Sequence, residues 1–275
     1  VSLPNETRIS HVHLRVKNLE RELSFYRELL GFNEGESHDS TVALSSSIPT
    51  NNGSKVGQLS FQILLTESPS AAVRPPRTTG LFHAAIRFPN RVELAKTLLR
   101  LVRHGYPIQG AGDHLVSEAI YLADPEGNGI ELYCDRPKES WQWLDGEIAM
   151  ATEPLDVEAL LREADGNEWT GIHPQTEIGH IHLNVGSLAS AEEFYSKQIG
   201  FDVTTRSYPG ALFLSAGGYH HHIGANVWAG RNAQRPPENS LGLISFEIVV
   251  PNGAPQKLTD PNGIEVEIHQ TTPQA

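Results

Sequence analysis

The sequence predicts an α+β protein built from tandem strand–helix–three-strand (βαβββ) modules. Two long matching stretches and two shorter matches carry that expectation. Ile9 to Phe32 (ISHVHLRVKNLERELSFYRELLGF) and Ile178 to Phe201 (IGHIHLNVGSLASAEEFYSKQIGF) each set an apolar strand with two histidines before a helix; the helix ends in Phe-Tyr, a few residues and Gly-Phe. Gly80 to Asn90 (GLFHAAIRFPN) aligns without gaps on Gly242 to Asn252 (GLISFEIVVPN), and Asp124 to Glu131 (DPEGNGIE) on Asp260 to Glu267 (DPNGIEVE). Self-similarity of this kind marks duplicated supersecondary units. Four units follow, at about 8–67, 80–135, 177–230 and 241–270.

In the first unit Leu19, Leu23, Tyr26 and Leu30 recur at helical spacing, and Gly31 ends the helix. Ser45 to Gly57 (SSSIPTNNGSKVG) reads as a polar surface loop. In the second, strand His83–Phe88 precedes a helix from about Val92, whose apolar face is Leu94, Leu98, Leu99 and Leu101/Val102. Gly105 stands where a left-handed cap belongs. Ala119–Leu122 and Gly129–Tyr133 read as strands joined by the turn-rich Asp124–Gly129. Residues 136–176 form a linker with a short helix around Leu155–Ala164. The third unit repeats the first. The fourth reads as truncated or incompletely represented, because Asn252 to Asp260 leaves no room for a helix and two strands. Sequence order thus suggests one domain over 1–135, containing the first pair of modules, and another over 177–275 containing the second pair.

Bulk properties narrow the function classes. A length of 275 residues suits two domains with their own cores. The formal charge of −12 argues against nucleic acid as a partner, which would demand a basic footprint. No apolar run approaches the roughly 18 residues of a membrane span, and no basic-then-apolar leader opens the chain, so no membrane association is expected. The single cysteine, Cys134, excludes a disulfide framework within the chain and fits a reducing, cytoplasmic setting.

The thirteen histidines matter through their positions. One histidine on an apolar strand is by default a satisfied core or surface residue. His11, His83 and His180, however, occupy the same place in three modules, where the fourth has Ser245. His13 and His182 also repeat, but the second module has Ala85 there, so these two read as structural. Glu131 lies between Ile130 and Leu132 in an apolar strand, where a carboxylate is costly unless paired or metal-bound. Its counterparts read as Glu267 and Gln62. Two imidazoles and a carboxylate on adjacent strands compose the facial triad of non-haem iron(II), and manganese, nickel or zinc accept the same ligands.

The opening HVHLRV…FY…LGF and closing DPEGNGIEL resemble the vicinal-oxygen-chelate (glyoxalase/bleomycin resistance/extradiol dioxygenase) superfamily over nearly the whole chain. With GDHLVSEAIYLADPEGNGIELY and SAGGYHHHIGANVWAG, the sequence looks most like catechol 2,3-dioxygenases of the bacilli type. That resemblance implies two curved, mixed-sheet, barrel-like domains and a metal-dependent extradiol cleavage of a small aromatic diol by O2. It implies His83 and Glu131 as metal ligands, completed by His180 or alternatively by His11. His114 and Tyr121 would orient the substrate and His221 would act as acid–base residue. Iron(II) is the implied metal, and a homo-oligomer is compatible with modules of this kind. Two other activities stay open. A glyoxalase-like isomerase or lyase would want a second carboxylate, for which Gln62 or Asn226 would have to serve. A non-catalytic protein binding an aromatic compound or antibiotic would need no turnover at all.

Overall fold

A computed structural model describes residues 2–47 and 62–271. The polar segment 45–57 therefore lies, beyond Ser47, outside the described residues. The first module comprises β1 (Arg8–Val16), α1 (Leu19–Leu23), β2 (Asn33–His38), β3 (Thr41–Ser45) and β4 (Ile63–Glu67). The second comprises β5 (Gly80–Phe88), α2 (Arg91–Arg103), β6 (Gly110–Asp113), β7 (Ser117–Ala123) and β8 (Gly129–Asp135). A connector follows, with the two-residue strands β9 (Trp143–Leu144) and β10 (Glu147–Ile148) and the short helix α3 (Val157–Arg162). The third module holds β11 (Glu177–Asn184), α4 (Leu188–Glu192), β12 (Asp202–Thr205), β13 (Ala211–Ser215) and β14 (Ile223–Asn226). The fourth keeps β15 (Gly242–Pro251), β16 (Gln256–Thr259) and β17 (Glu265–Thr271). A turn through Asn252, at φ 57°, replaces its helix.

Local chemistry explains the helices. Asn18, Asn90 and Ser187 cap α1, α2 and α4 by accepting from Arg21 N, Glu93 N and Ser190 N. Gly105 ends the α2 segment at φ +64°, where a side chain would be strained. Both repeated helices widen after one turn into a π-helical stretch, Ser24–Leu29 and Glu193–Ile199. The widening carries the repeated tyrosines to a shared task. Tyr26 Oη donates to Asp124 Oδ2 at 3.1 Å, and Tyr195 Oη donates to Asp260 Oδ2 at 3.1 Å. The Phe-Tyr motif and the Asp-Pro turn are thus two halves of one buried hydrogen bond, made between consecutive modules.

The sheets pair the modules differently. A seven-stranded sheet runs β16-β17-β15-β1-β4-β3-β2, joining modules one and four. An eight-stranded sheet runs β12-β13-β14-β11-β5-β8-β7-β6, joining modules two and three. Both are mixed sheets, closed at an antiparallel seam where two first strands meet. At one seam His13 faces Ser245, and at the other His182 faces His83. The division into 1–135 and 177–275 therefore follows the tyrosine links and cuts across both sheets. Val12 and Leu14 of β1 and Ile181 and Leu183 of β11 belong to one continuous buried core, and its burial is the main favourable term in folding. No helix among the described residues is long and apolar enough to cross a membrane.

Candidate metal centre

Three neighbouring strands set the site. On β5, Ala85 is registered against Glu131 of β8 on one side and His180 of β11 on the other. Strand alternation puts His83, two residues from Ala85, on the same face. The methyl group of Ala85 thus leaves open the space into which three longer side chains reach. His83 Nε2 lies 2.9 Å and His180 Nε2 3.1 Å from the same oxygen, Glu131 Oε2. The three ligand atoms fall within 4.8 Å of one another, and all three residues are buried. Gly179 is required beside them, since a Cβ there would sit 1.8 Å from Tyr133 Oη.

The electrostatics suit a divalent cation. Burial opposes the charge of Glu131, but His180 and His83 outweigh it and hold the carboxyl well below its usual range. Burial lowers the His180 pKa to about 4, against the pull of Glu131, so its imidazole is neutral at physiological pH. Two imidazole nitrogens and an ionised oxygen converging in a buried pocket fit the two-histidine, one-carboxylate donor set. His11 is not brought to this cluster. It stands on the other sheet, with Nδ1 3.7 Å from Glu247 Oε1, and Glu247 also bonds His269. The sheet register also revises the counterpart of Glu131 in module one. Ala85 pairs with Glu131 as His13 pairs with Leu64, so Leu64 holds that position, not Gln62.

A cavity of about 300 Å³ opens over His83 and Glu131. His114, Tyr121, His182 and His221 line it, with aromatic walls that include Phe82 and Trp228. His114 Nδ1 donates to the carbonyl of Ala151 at 2.8 Å. Its Nε2 is then the acceptor, and Tyr121 Oη donates to it at 2.6 Å. Tyr121 is registered directly opposite Glu131. The ring of His221 lies 4.0 Å from that of His180. Burial, then the neighbouring histidines, push its pKa well below the ordinary value.

The three consecutive histidines have three environments. His222 Nδ1 meets Ser215 Oγ at 2.9 Å, away from the cavity. His220 is fully buried, with Nε2 3.0 Å from Asp135 Oδ1 and Nδ1 2.7 Å from His221 Nδ1. His221 alone of the three lines the cavity. His182, read from sequence as structural, lines the cavity too; its buried Nε2 has no hydrogen-bond partner among the described residues, and its ring is 4.9 Å from that of His83. Gly224 makes room for it, because a Cβ there would be 2.8 Å from the ring. The signal was the His-x-His spacing, which puts His182 on the face of His180. His13 does follow the structural reading, bonding Thr66 Oγ1 at 2.7 Å.

The profile of the Glyoxalase/Bleomycin resistance protein/Dioxygenase superfamily matches residues 8–132 and 177–248. A catechol-2,3-dioxygenase of Bacillus subtilis (strain 168) is 46% identical over 255 residues, covering 91% of this chain and 85% of the relative. A biphenyl-2,3-diol 1,2-dioxygenase 3 of Rhodococcus globerulus is 36% identical over 77 residues, covering 27% of this chain and 40% of its own. The fold is shared with glyoxalase I from Zea mays, at TM-score 0.57 and 16% identity over 97% of this chain and 93% of the other. Duplicated modules, a matching profile and a relative of high identity over most of the chain lead to one assignment: the chain belongs to the Glyoxalase/Bleomycin resistance protein/Dioxygenase superfamily.

Proposed function

We propose that this protein is a metal-dependent extradiol dioxygenase that opens catechol-type aromatic diols with O2, using iron(II) held by His83, Glu131 and His180. The observation that carries the reading is that two of these three clustered donors, His83 and Glu131, line one cavity with His114, Tyr121 and His221. The 46% identity to a protein named catechol-2,3-dioxygenase supports it. A bound divalent iron would acidify a ligating phenol and supply the redox centre for dioxygen.

The chain's own groups do the rest. Tyr121, bonded to His114 and beside Glu131, presents its hydroxyl to a substrate oxygen. His221, neutral and facing the cavity, takes the second phenolic proton and returns it later in the cycle. Phe82, Phe213 and Trp228 hold the ring and exclude water. No lysine or arginine lines the cavity among the described residues, which favours an uncharged catechol over one bearing a carboxylate. Both oxygen atoms enter the ring-opened product, and the bond beside the diol breaks.

The isomerase alternative lacks its second carboxylate here. Gln62 is on the other sheet, bonded to Ser46, while the oxygen of Asn226 accepts from Trp228 N. Anaerobic loading with iron(II), then catechol and air, should give a yellow product with one O2 consumed per ring. No colour and no oxygen uptake across a panel of uncharged catechols would overturn the reading. Binding of nickel or zinc with isomerase turnover would replace it.

A further inference from the structure

We propose that Asp135 and His220 are positioning residues that fix which ring nitrogen of His221 carries the proton. The inference rests on the reading of His221 as the acid–base residue. Asp135 follows Glu131 by four residues on β8, and strand alternation puts both on one face. Its carboxylate is held by Arg87 Nη1 at 2.9 Å and by Tyr219 Oη at 3.1 Å, so it is clamped and acceptor-only. Tyr133 Oη backs Tyr219 Oη at 2.7 Å. The His220 ring stacks on Tyr219 at 4.0 Å and meets Trp141 at 5.3 Å, which leaves it little freedom to turn.

The hydrogen-bond logic then runs in one direction. His220 Nε2 can meet an ionised Asp135 only as a donor. With one N–H on its ring, His220 spends it on Asp135 and turns the Nδ1 lone pair to His221. His221 Nδ1, 2.7 Å away, must donate into it. The other nitrogen of His221, Nε2, keeps its lone pair, and its ring lines the cavity. The relay thus presents a base and not an N–H to the substrate. Its logic is that of a carboxylate orienting a histidine, extended by one imidazole. Asp135 comes from module two and the histidines from module three, so the relay crosses the same seam as the metal-ligand candidates.

The test joins a spectroscopic readout to kinetics. Histidine 15N spectra of the full chain, with His221 assigned by comparison with His221→Ala, should show the Nδ1–H tautomer in the wild type. Asp135→Asn and His220→Phe should shift it toward a mixture. In the iron-loaded enzyme these two variants should lose roughly 100-fold in kcat with KM within about twofold and iron content unchanged. His220→Asn, whose amide oxygen can replace the Nδ1 acceptor, should recover roughly tenfold of that loss. A wild-type His221 protonated on Nε2, or undiminished kcat in both relay variants, overturns the proposal. A wild type that cleaves no catechol instead defeats the acid–base reading, and the spectra still decide the tautomer.

Discussion

The two sheets bring copies of the same strands to the same kind of seam, yet they differ at two of three corresponding places. Where the second sheet has His83, the first has Ser245; Ala85 corresponds to Glu247; Glu131 corresponds to Glu267. His180 and His11 match, so a first-strand histidine alone does not make a site. In the second sheet the small Ala85 leaves its space to Glu131 and two imidazoles. In the first, the long side chain of Glu247 occupies the equivalent register and is consumed by His11 and His269. The lesson is that an unobtrusive alanine, as much as any ligand, distinguishes an open cluster from a closed ion pair.

The largest expected effect contrasts these clusters directly. Glu131→Ala and His180→Ala should bring bound iron and ring cleavage down to background, while Glu247→Ala and His11→Ala keep both. Metal analysis and oxygen uptake read this, and loss of iron in all four would erase the contrast. Next, His221→Ala should retain iron but lose roughly 10²- to 10⁴-fold in kcat; an unchanged kcat would remove His221 from the chemistry. Filling the space is subtler. Ala85→Leu should cost about 1–3 kcal/mol of stability by overpacking and weaken iron binding by roughly tenfold or more. Iron affinity equal to wild type in a folded Ala85→Leu protein would show that the space is not needed.

The smallest effect concerns acid stability in the other sheet. Burial opposes the charge of Glu247, but His11 and His269 beside it bring its pKa down to about 2 from 4.5. A depressed carboxyl stabilises the fold above its unfolded pKa, near 4.5, and that gain is lost as pH falls toward 2. Glu247→Gln should therefore be less stable by on the order of 1–3 kcal/mol at pH 7 and converge on wild type in strong acid. Denaturant melts across that range check it, and a pH-independent difference would deny the ion pair its part.

Much of this was legible from the chain. The repeats disclosed the modules, the truncated fourth unit and the helix ends, because each is written in local spacing. Aligning the copies also picked out His83, Glu131 and His180, although up to 97 positions separate them. Which modules share a sheet was not legible, because strand pairing across hundreds of residues leaves no local mark. That gap kept His11 in contention, while the register of β4 on β1 inside module one, equally unmarked, matched Gln62 to Glu131. His182 and Asp135 were missed for another reason. Both fall on the site's face by simple alternation, but only the third dimension shows His182 clearing Gly224 and Asp135 meeting His220.

The crossed pairing of modules has a consequence for how the chain is made. Strand β1 cannot complete its ladder until β15, more than two hundred residues later, has been synthesised. Such non-local pairing makes folding slow, since the entropy of closing the loop is lost before the contact forms. The tyrosine bond between modules one and two is available much earlier. We expect a nascent chain that first docks Tyr26 on Asp124, then waits with an open edge along β1, and closes its first sheet last. Severing the connector between residues 136 and 176 should therefore yield two fragments that each expose two unpaired first strands, and that recover the fold only by finding each other.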